Sequence, residues 1–270
     1  MPREKKAESI LEFLTEKNPD IECPELLDTK TTSNPRYYAP KELRQWDEFN
    51  FDSLKTVFGG ELFKEACRKT TRLPHYPHID PEVDCYVYDE KATVNIFTKW
   101  NHVMVNASLS LIKDNFHPCM WTAGSRKKVI RKKGNPVLST SKKQGRRKPG
   151  LFINRLKPDA GAVSFGSARS SYESPPLSVE KLPKDYKVAS KWDSSRVVEE
   201  VLNPEKLKRN YLMPIRQVYT YCVLSQCRYG CILTTKEAFI FRIKPRKAPG
   251  GNCLPTRVLL ALELLAPDTV

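Results

Sequence analysis

Neither a GxxxxGKS/T run nor an HRD or DFG triplet occurs in these 270 residues. P-loop and protein-kinase readings therefore fall away, since both need those residues to hold nucleotide phosphates and their metal. Long apolar runs are missing as well: the most apolar stretch, 258–266, is interrupted by Glu263 and is far shorter than the roughly 20 residues a helix needs to span a bilayer. The first residues, MPREKKAESILEFL, carry charges but lack the apolar centre of a secretory signal. The expectation is a soluble, intracellular chain, nuclear or cytoplasmic, with no membrane partner. Cysteine is present, but a cysteine framework is not. Cys23, Cys67, Cys85, Cys119, Cys222, Cys227, Cys231 and Cys253 have no compact disulfide spacing, so reduced thiols are the simpler reading. His75 with His78, and His117 with Cys119, lack the second half of a zinc site and read as turn residues.

What is present is enough apolar material for a core, 40% of the chain, and a formal charge of +15 that points to a polyanionic partner. The excess is local. Residues 126–148 contain eleven Lys or Arg and no acid, which leaves +4 for everything else. This segment, RKKVIRKKGNPVLSTSKKQGRRK, reads as a loop. Arg126, Lys127, Lys128, Arg131, Lys132 and Lys133 are its candidates for gripping a nucleic-acid backbone; a bipartite nuclear-import signal or a solvated loop would have the same composition.

Along the chain, residues 1–89 read as a helical and irregular extension, with helices expected at 7–17, 40–55 and 61–69. From Glu90 onward Phe97, Trp100, Met104, Ala107 and Leu111 recur at spacings of three and four, the apolar stripe of a helix over 90–114. Two strands are expected around Lys157 and Pro158, and an extended segment over 185–192. Asp193 or Ser194 would cap a helix reaching Val201, and Pro214 suits the first turn of the next, which ends near Arg228. Residues 230–234 and 238–244 read as a hairpin, and 258–266 as a closing helix.

The chemistry-bearing residues lie in this second part. Asp159 follows Pro158 at a strand start, and Asp185 begins a later strand with Lys187 two residues on. Side chains alternate along a strand, so Asp185 and Lys187 share one face and Tyr186 takes the other. If the two strands are neighbours, two carboxylates and an ammonium converge. Paired carboxylates suit Mg²⁺, which prefers oxygen donors and keeps several waters, and a nearby Lys can orient a metal-bound water or help deprotonate it. The plain alternative makes Pro158-Asp159 a turn and Asp185 with Lys187 a solvated strand end.

Pro158-Asp159 followed by Asp185-Tyr186-Lys187 resembles the PD-(D/E)XK motif of restriction-type nucleases, and Gln217 falls on the following helix, where many members place a Gln. RYGCILTTKEAFIFRIK is similar to the strand pair after that helix in the nuclease domain of type I restriction enzymes. RLKPDAGA, DYKVASKW and PIRQVYTYC also look like a family of fungal proteins with this arrangement. The resemblance spans roughly residues 90 to 245. It implies an α/β, restriction-endonuclease-like core over 90–270, with a central mixed sheet flanked by helices. By the resemblance, Asp159 and Asp185 hold Mg²⁺, Lys187 positions the water, Gln217 supports the site, and Glu90, nearest to the Glu that members often carry on the first helix, is a further metal ligand. The implied function is metal-dependent hydrolysis of DNA phosphodiester bonds. The alternative is the same fold without chemistry, serving DNA binding or protein interaction.

Overall fold

In the computed structural model, which describes residues 6–24, 34, 37–40, 42–123, 158–164, 180–197, 211–247 and 253–263, several helices start where a short polar side chain caps them. The described helices are α1 (Ile10–Leu14), α2 (Phe51–Cys67), α3 (Pro81–Asp84), α4 (Glu90–Lys99), α5 (Asn101–Leu111), α6 (Lys113–Phe116) and α7 (Met213–Ser225). The Ser9 hydroxyl accepts the Glu12 N–H at 3.1 Å, Asn50 accepts that of Ser53 at 2.8 Å, and Asp89 accepts that of Ala92 at 2.6 Å. Each such cap contributes about 1 kcal/mol. None of the described helices is long and apolar enough to cross a membrane.

The strands are β1 (Glu42–Gln45), β2 (Cys119–Ala123), β3 (Ala160–Ser164), β4 (Lys184–Tyr186), β5 (Tyr229–Leu233), β6 (Ala238–Lys247) and β7 (Cys253–Glu263). They form one mixed seven-stranded sheet in the order β1-β7-β6-β5-β4-β3-β2. β4 and β5 run parallel, joined through α7, while β5 with β6, β6 with β7, β3 with β4 and β2 with β3 are antiparallel. At the far edge β1 pairs in parallel with β7. Helices cover both faces. On one, Ile215, Val218 and Tyr219 of α7 pack with Ile232, Phe239 and Phe241; on the other, Ile96 and Phe97 of α4 pack with Tyr186, Val188 and Leu233. The protein is thus α/β, a mixed sheet flanked by helices, and β4 lies between the two layers.

Several expectations are corrected. The stripe over 90–114 is two helices, because Trp100 at φ −103° and ψ −76° ends α4 and begins α5. That break divides one apolar stripe between two cores: Phe97 lies against Tyr186, while Trp100 and Met104 pack with Phe13 of α1. The helix expected over 40–55 is instead β1 and then α2, whose start is set by the Asn50 cap and which runs on through 61–67. The helix expected over 258–266 is strand β7: a short apolar run fits either structure, and the edge of β6 takes it as a partner from Cys253 to Glu263. The extended segment over 185–192 stops at Tyr186, after which the N–H groups of Lys191 and Trp192 turn back to the carbonyl of Val188. Strand β2 carried no recognised sequence signal. The hairpin over 230–244 and the helix opened by Pro214 are present as β5–β6 and α7. Residues 151–157 and the continuation to Val201 lie outside the described residues.

Gly161 in β3 shows how closely this sheet edge is packed. A Cβ there would run into the carboxylate of Glu180, a buried side chain whose Oε1 accepts the Ala162 N–H at 2.7 Å. Gly161→Ala is therefore expected to destabilise the protein by about 3 kcal/mol, combining overpacking with a strained buried hydrogen bond. A lower denaturant midpoint at unchanged m-value would show it; an unchanged midpoint would mean that Glu180 moves aside freely.

Candidate active site

Register decides which side chains of β4 meet which layer. Asp185 pairs with Ile232, which belongs to the α7 side, while Lys184 and Tyr186 pair with Cys231 and Leu233 on the α4 side. Asp185 accordingly meets Gln217 of α7, whose amide donates to its Oδ1 at 3.0 Å and to the Tyr221 hydroxyl at 2.8 Å. Lys187 follows just past the strand, its N–H donating to the Leu233 carbonyl at 2.9 Å. Its Nζ lies 2.7 Å from Asp185 Oδ2 and 3.1 Å from Glu90 Oε1. The contact to Asp185 is an ion pair without the angle of a directed hydrogen bond. Asp159, just before β3, accepts the Tyr186 N–H at 3.1 Å through Oδ2, which sets its carboxyl beside β4 next to Asp185.

Five residues that are far apart in sequence therefore meet at the carboxyl end of β4: Glu90, Asp159, Asp185, Lys187 and Gln217. Open α/β sheets commonly bind ligands beyond the carboxyl ends of their strands. Glu90 is closer than its place at the start of α4 suggests, because that helix begins beside the end of β4 and its first turn reaches around to Lys187.

The electrostatics follow from burial. The Asp185 side chain is 0% exposed, and burial, opposed by Lys187 and reinforced by the Asp159 carboxyl, pushes it up to about 8. Burial acts against the charge on Lys187, but the carboxylates of Asp185 and Glu90 outweigh it and hold the ammonium above its ordinary value. Burial disfavours charge on Asp185 beside a second carboxyl, that of Asp159, and a divalent cation would relieve that penalty. Both offer the hard oxygen donors that Mg²⁺ takes, so these residues fit such an ion. Among the described residues no group of three or more His, Cys, Asp or Glu forms a metal cluster. The donor set here is the aspartate pair, with Glu90 on the far side of the lysine.

On the opposite face of β4 lies a second buried polar group that the sequence reading did not anticipate. Lys184 is fully buried, with its Nζ 3.0 Å from the centre of the Trp121 ring, and desolvation pushes it down to about 6. Nearby, His102 Nε2 and the Tyr186 hydroxyl are 2.7 Å apart, and burial brings the imidazole down to about 4. Burial disfavours charge on both Lys184 and His102, and these groups pack beneath the site.

Other candidates fall elsewhere. Trp192, Tyr219 and Tyr221 are core side chains. Cys222 and Cys231 are buried as small apolar residues would be, and the Cys222 thiol donates to the Tyr229 carbonyl at 3.2 Å. His75 and His78 line a cleft of about 540 Å³ with Asp20, Tyr76 and Trp100, away from β4. Arg126, Lys127, Lys128, Arg131, Lys132 and Lys133 lie outside the described residues. No protein-family model, curated protein or solved structure matches the chain.

Proposed function

We propose that this protein is a metal-dependent nuclease with a restriction-endonuclease-like core, hydrolysing DNA phosphodiester bonds with Mg²⁺. The observation that carries the reading is the meeting of Asp159, Asp185 and Lys187 at one strand end, with Glu90 and Gln217 holding the two charged partners. Asp159 and Asp185 would hold the ion, while Glu90 is paired with Lys187 Nζ at 3.1 Å. Bound there, Mg²⁺ would neutralise charge on the scissile phosphate and make water a better nucleophile. Gln217 fixes the Asp185 carboxylate through Oδ1, while Oδ2 lies 2.7 Å from Lys187 Nζ. Lys187 keeps its proton, so its part is to orient the attacking water and face the negative charge that builds on the phosphate, rather than to accept a proton. The local positive charge of 126–148 supports a nucleic-acid partner by composition.

Purified protein should nick supercoiled plasmid when Mg²⁺ is added, and Asp185→Ala should lower the nicking rate by at least about 10³ by removing an ion ligand, with the unfolding transition retained. A noncatalytic module would instead bind DNA in a salt-sensitive way without cutting it, and Asp159→Ala and Asp185→Ala would leave that binding intact. Cleavage that persists in Asp185→Ala would remove the mechanism.

A further inference from the structure

Just ahead of Glu90 the chain puts two aromatic rings into solvent. Over residues 85–88 every second side chain turns inward: Cys85 and Val87 are buried, while Tyr86 and Tyr88 stay 48% and 55% exposed. Their ring centres lie 6.2 Å apart, with the planes tilted by 41°. Residue 22 holds the segment as a neighbouring strand would. The Glu22 N–H donates to the Cys85 carbonyl at 2.9 Å, and the Val87 N–H donates to the Glu22 carbonyl at 2.8 Å. Val87 packs with Tyr186 and Val188 in the layer under α4. Two separate ties set this segment at the end of the sheet where the site lies. Along the chain, Tyr88 is two residues from Glu90, so their Cα atoms are within about 7.6 Å of each other, and the Glu90 carboxylate is 3.1 Å from Lys187 Nζ. Across the fold, Cys23, which follows Glu22, has its Sγ 3.1 Å from Thr235 Oγ1. Thr235 comes two residues after Leu233, whose carbonyl accepts the Lys187 N–H.

We propose that Tyr86 and Tyr88 form a base-stacking platform beside this site, and that the substrate is DNA with unpaired bases next to the scissile phosphate. The inference rests on the nuclease reading and adds to it the class of substrate. An exposed ring gives a nucleobase an apolar face to lie on, and such stacking tolerates any sequence because every base has a π-face. Inside a duplex both faces of a base are covered by neighbours about 3.4 Å away. Only bases outside that stack can therefore lie on these rings. The platform is ready-made: the two Glu22 contacts and the burial of Val87 fix its backbone, so little order is lost on binding. The acids nearest in sequence are engaged, Asp84 with Lys99, Asp89 in capping α4 and Glu90 with Lys187, which lessens their repulsion of a passing phosphate. A protein partner could also use an apolar pair. Continuity with the phosphate site and the chain's charge of +15 favour the polyanion.

Two double variants test the proposal: Tyr86→Leu with Tyr88→Leu, which removes both rings, and Tyr86→Phe with Tyr88→Phe, which keeps them. Affinity for a short single-stranded DNA and for a duplex of the same sequence would be measured in Ca²⁺ by fluorescence anisotropy, well below each protein's unfolding midpoint. The expected result for the Leu pair is single-strand binding weaker by about tenfold or more, with duplex binding changed by less than about twofold. The Phe pair should match the wild type. Should the Leu pair not fold, Tyr88→Ser alone, at the more exposed ring, carries the same comparison. Unchanged single-strand affinity without the rings overturns the proposal, as does a loss that the duplex shares or that the Phe pair shows equally. A wild type that binds no single strand overturns it too. Nicking of supercoiled plasmid in Mg²⁺ judges the nuclease reading separately. If the wild type nicks and the Leu pair binds single strands normally, the nuclease reading stands and the platform falls. If the rings carry single-strand binding but nothing is cut, the platform stands and the reaction falls.

Discussion

Replacing Lys187 by Met is expected to lower the single-turnover rate of plasmid nicking by about 10² to 10³, the effect of removing one preorganised donor from a developing oxyanion. The fold should survive. Removing a buried cation usually strands its partner as an uncompensated charge, which is strongly destabilising. Asp185 escapes this because burial already pushes it up to about 8, so near neutral pH it takes a proton instead of keeping an unpaired charge. Glu90, whose side chain is 48% exposed, returns to solvent at little cost. The measurement is therefore a pair: nicking rate, and unfolding midpoint by circular dichroism. A full rate in Lys187→Met would reduce the ammonium to a structural counter-ion. A lost midpoint would show that the carboxyl cluster cannot stand without it.

The second large effect is on metal affinity. For Mg²⁺ to bind, Asp185 must give up the proton that burial favours, so the apparent affinity should strengthen by about tenfold per pH unit from pH 6 and level off near pH 8. Two pH units then change it by about 100-fold, a shift readable by calorimetry or by the rise in unfolding midpoint on adding Mg²⁺. The sign for the metal-free protein is opposite. The folded value of Asp185 lies above the ordinary aspartate value of 3.8, so the native state binds the extra proton between about pH 4 and 8. Its contribution to stability is complete below about pH 4 and is lost as the pH rises through 8. Mg²⁺ should offset that decline, and Asp185→Asn should flatten both dependences. An affinity for Mg²⁺ that is constant from pH 6 to 8 would show that no proton on Asp185 guards the site.

How much of this could be read in advance depends on the range over which each feature is decided. The α7 helix was legible because Pro214 opens it and its own residues carry the apolar face. The β5–β6 hairpin was legible because both strands and their turn are adjacent in sequence. The closing strand was not. Val258 to Leu262 is apolar whether it coils or extends, and only the free edge of β6 decides between them. Similarly, nothing local to Trp100 announces that the stripe from Phe97 to Leu111 bends there to serve two cores.

The alternation of Asp185, Tyr186 and Lys187 was determined by the sequence alone, because a strand of any protein places residues i and i+2 on one face. So was the presence of two acids and a lysine in an order that suits a cation and a phosphate. Tertiary structure decided the rest. The pairing of β3 with β4 brings Asp159 to β4 beside Asp185, the start of α4 beside the end of β4 brings Glu90 to Lys187, and the packing of α7 on the sheet brings Gln217 to Asp185. These contacts join segments separated by long stretches of chain, and their energy comes from burial that exists only once the layers are packed. That same burial raises Asp185, so the chemistry of the carboxyl pair belongs to the fold rather than to the residue types.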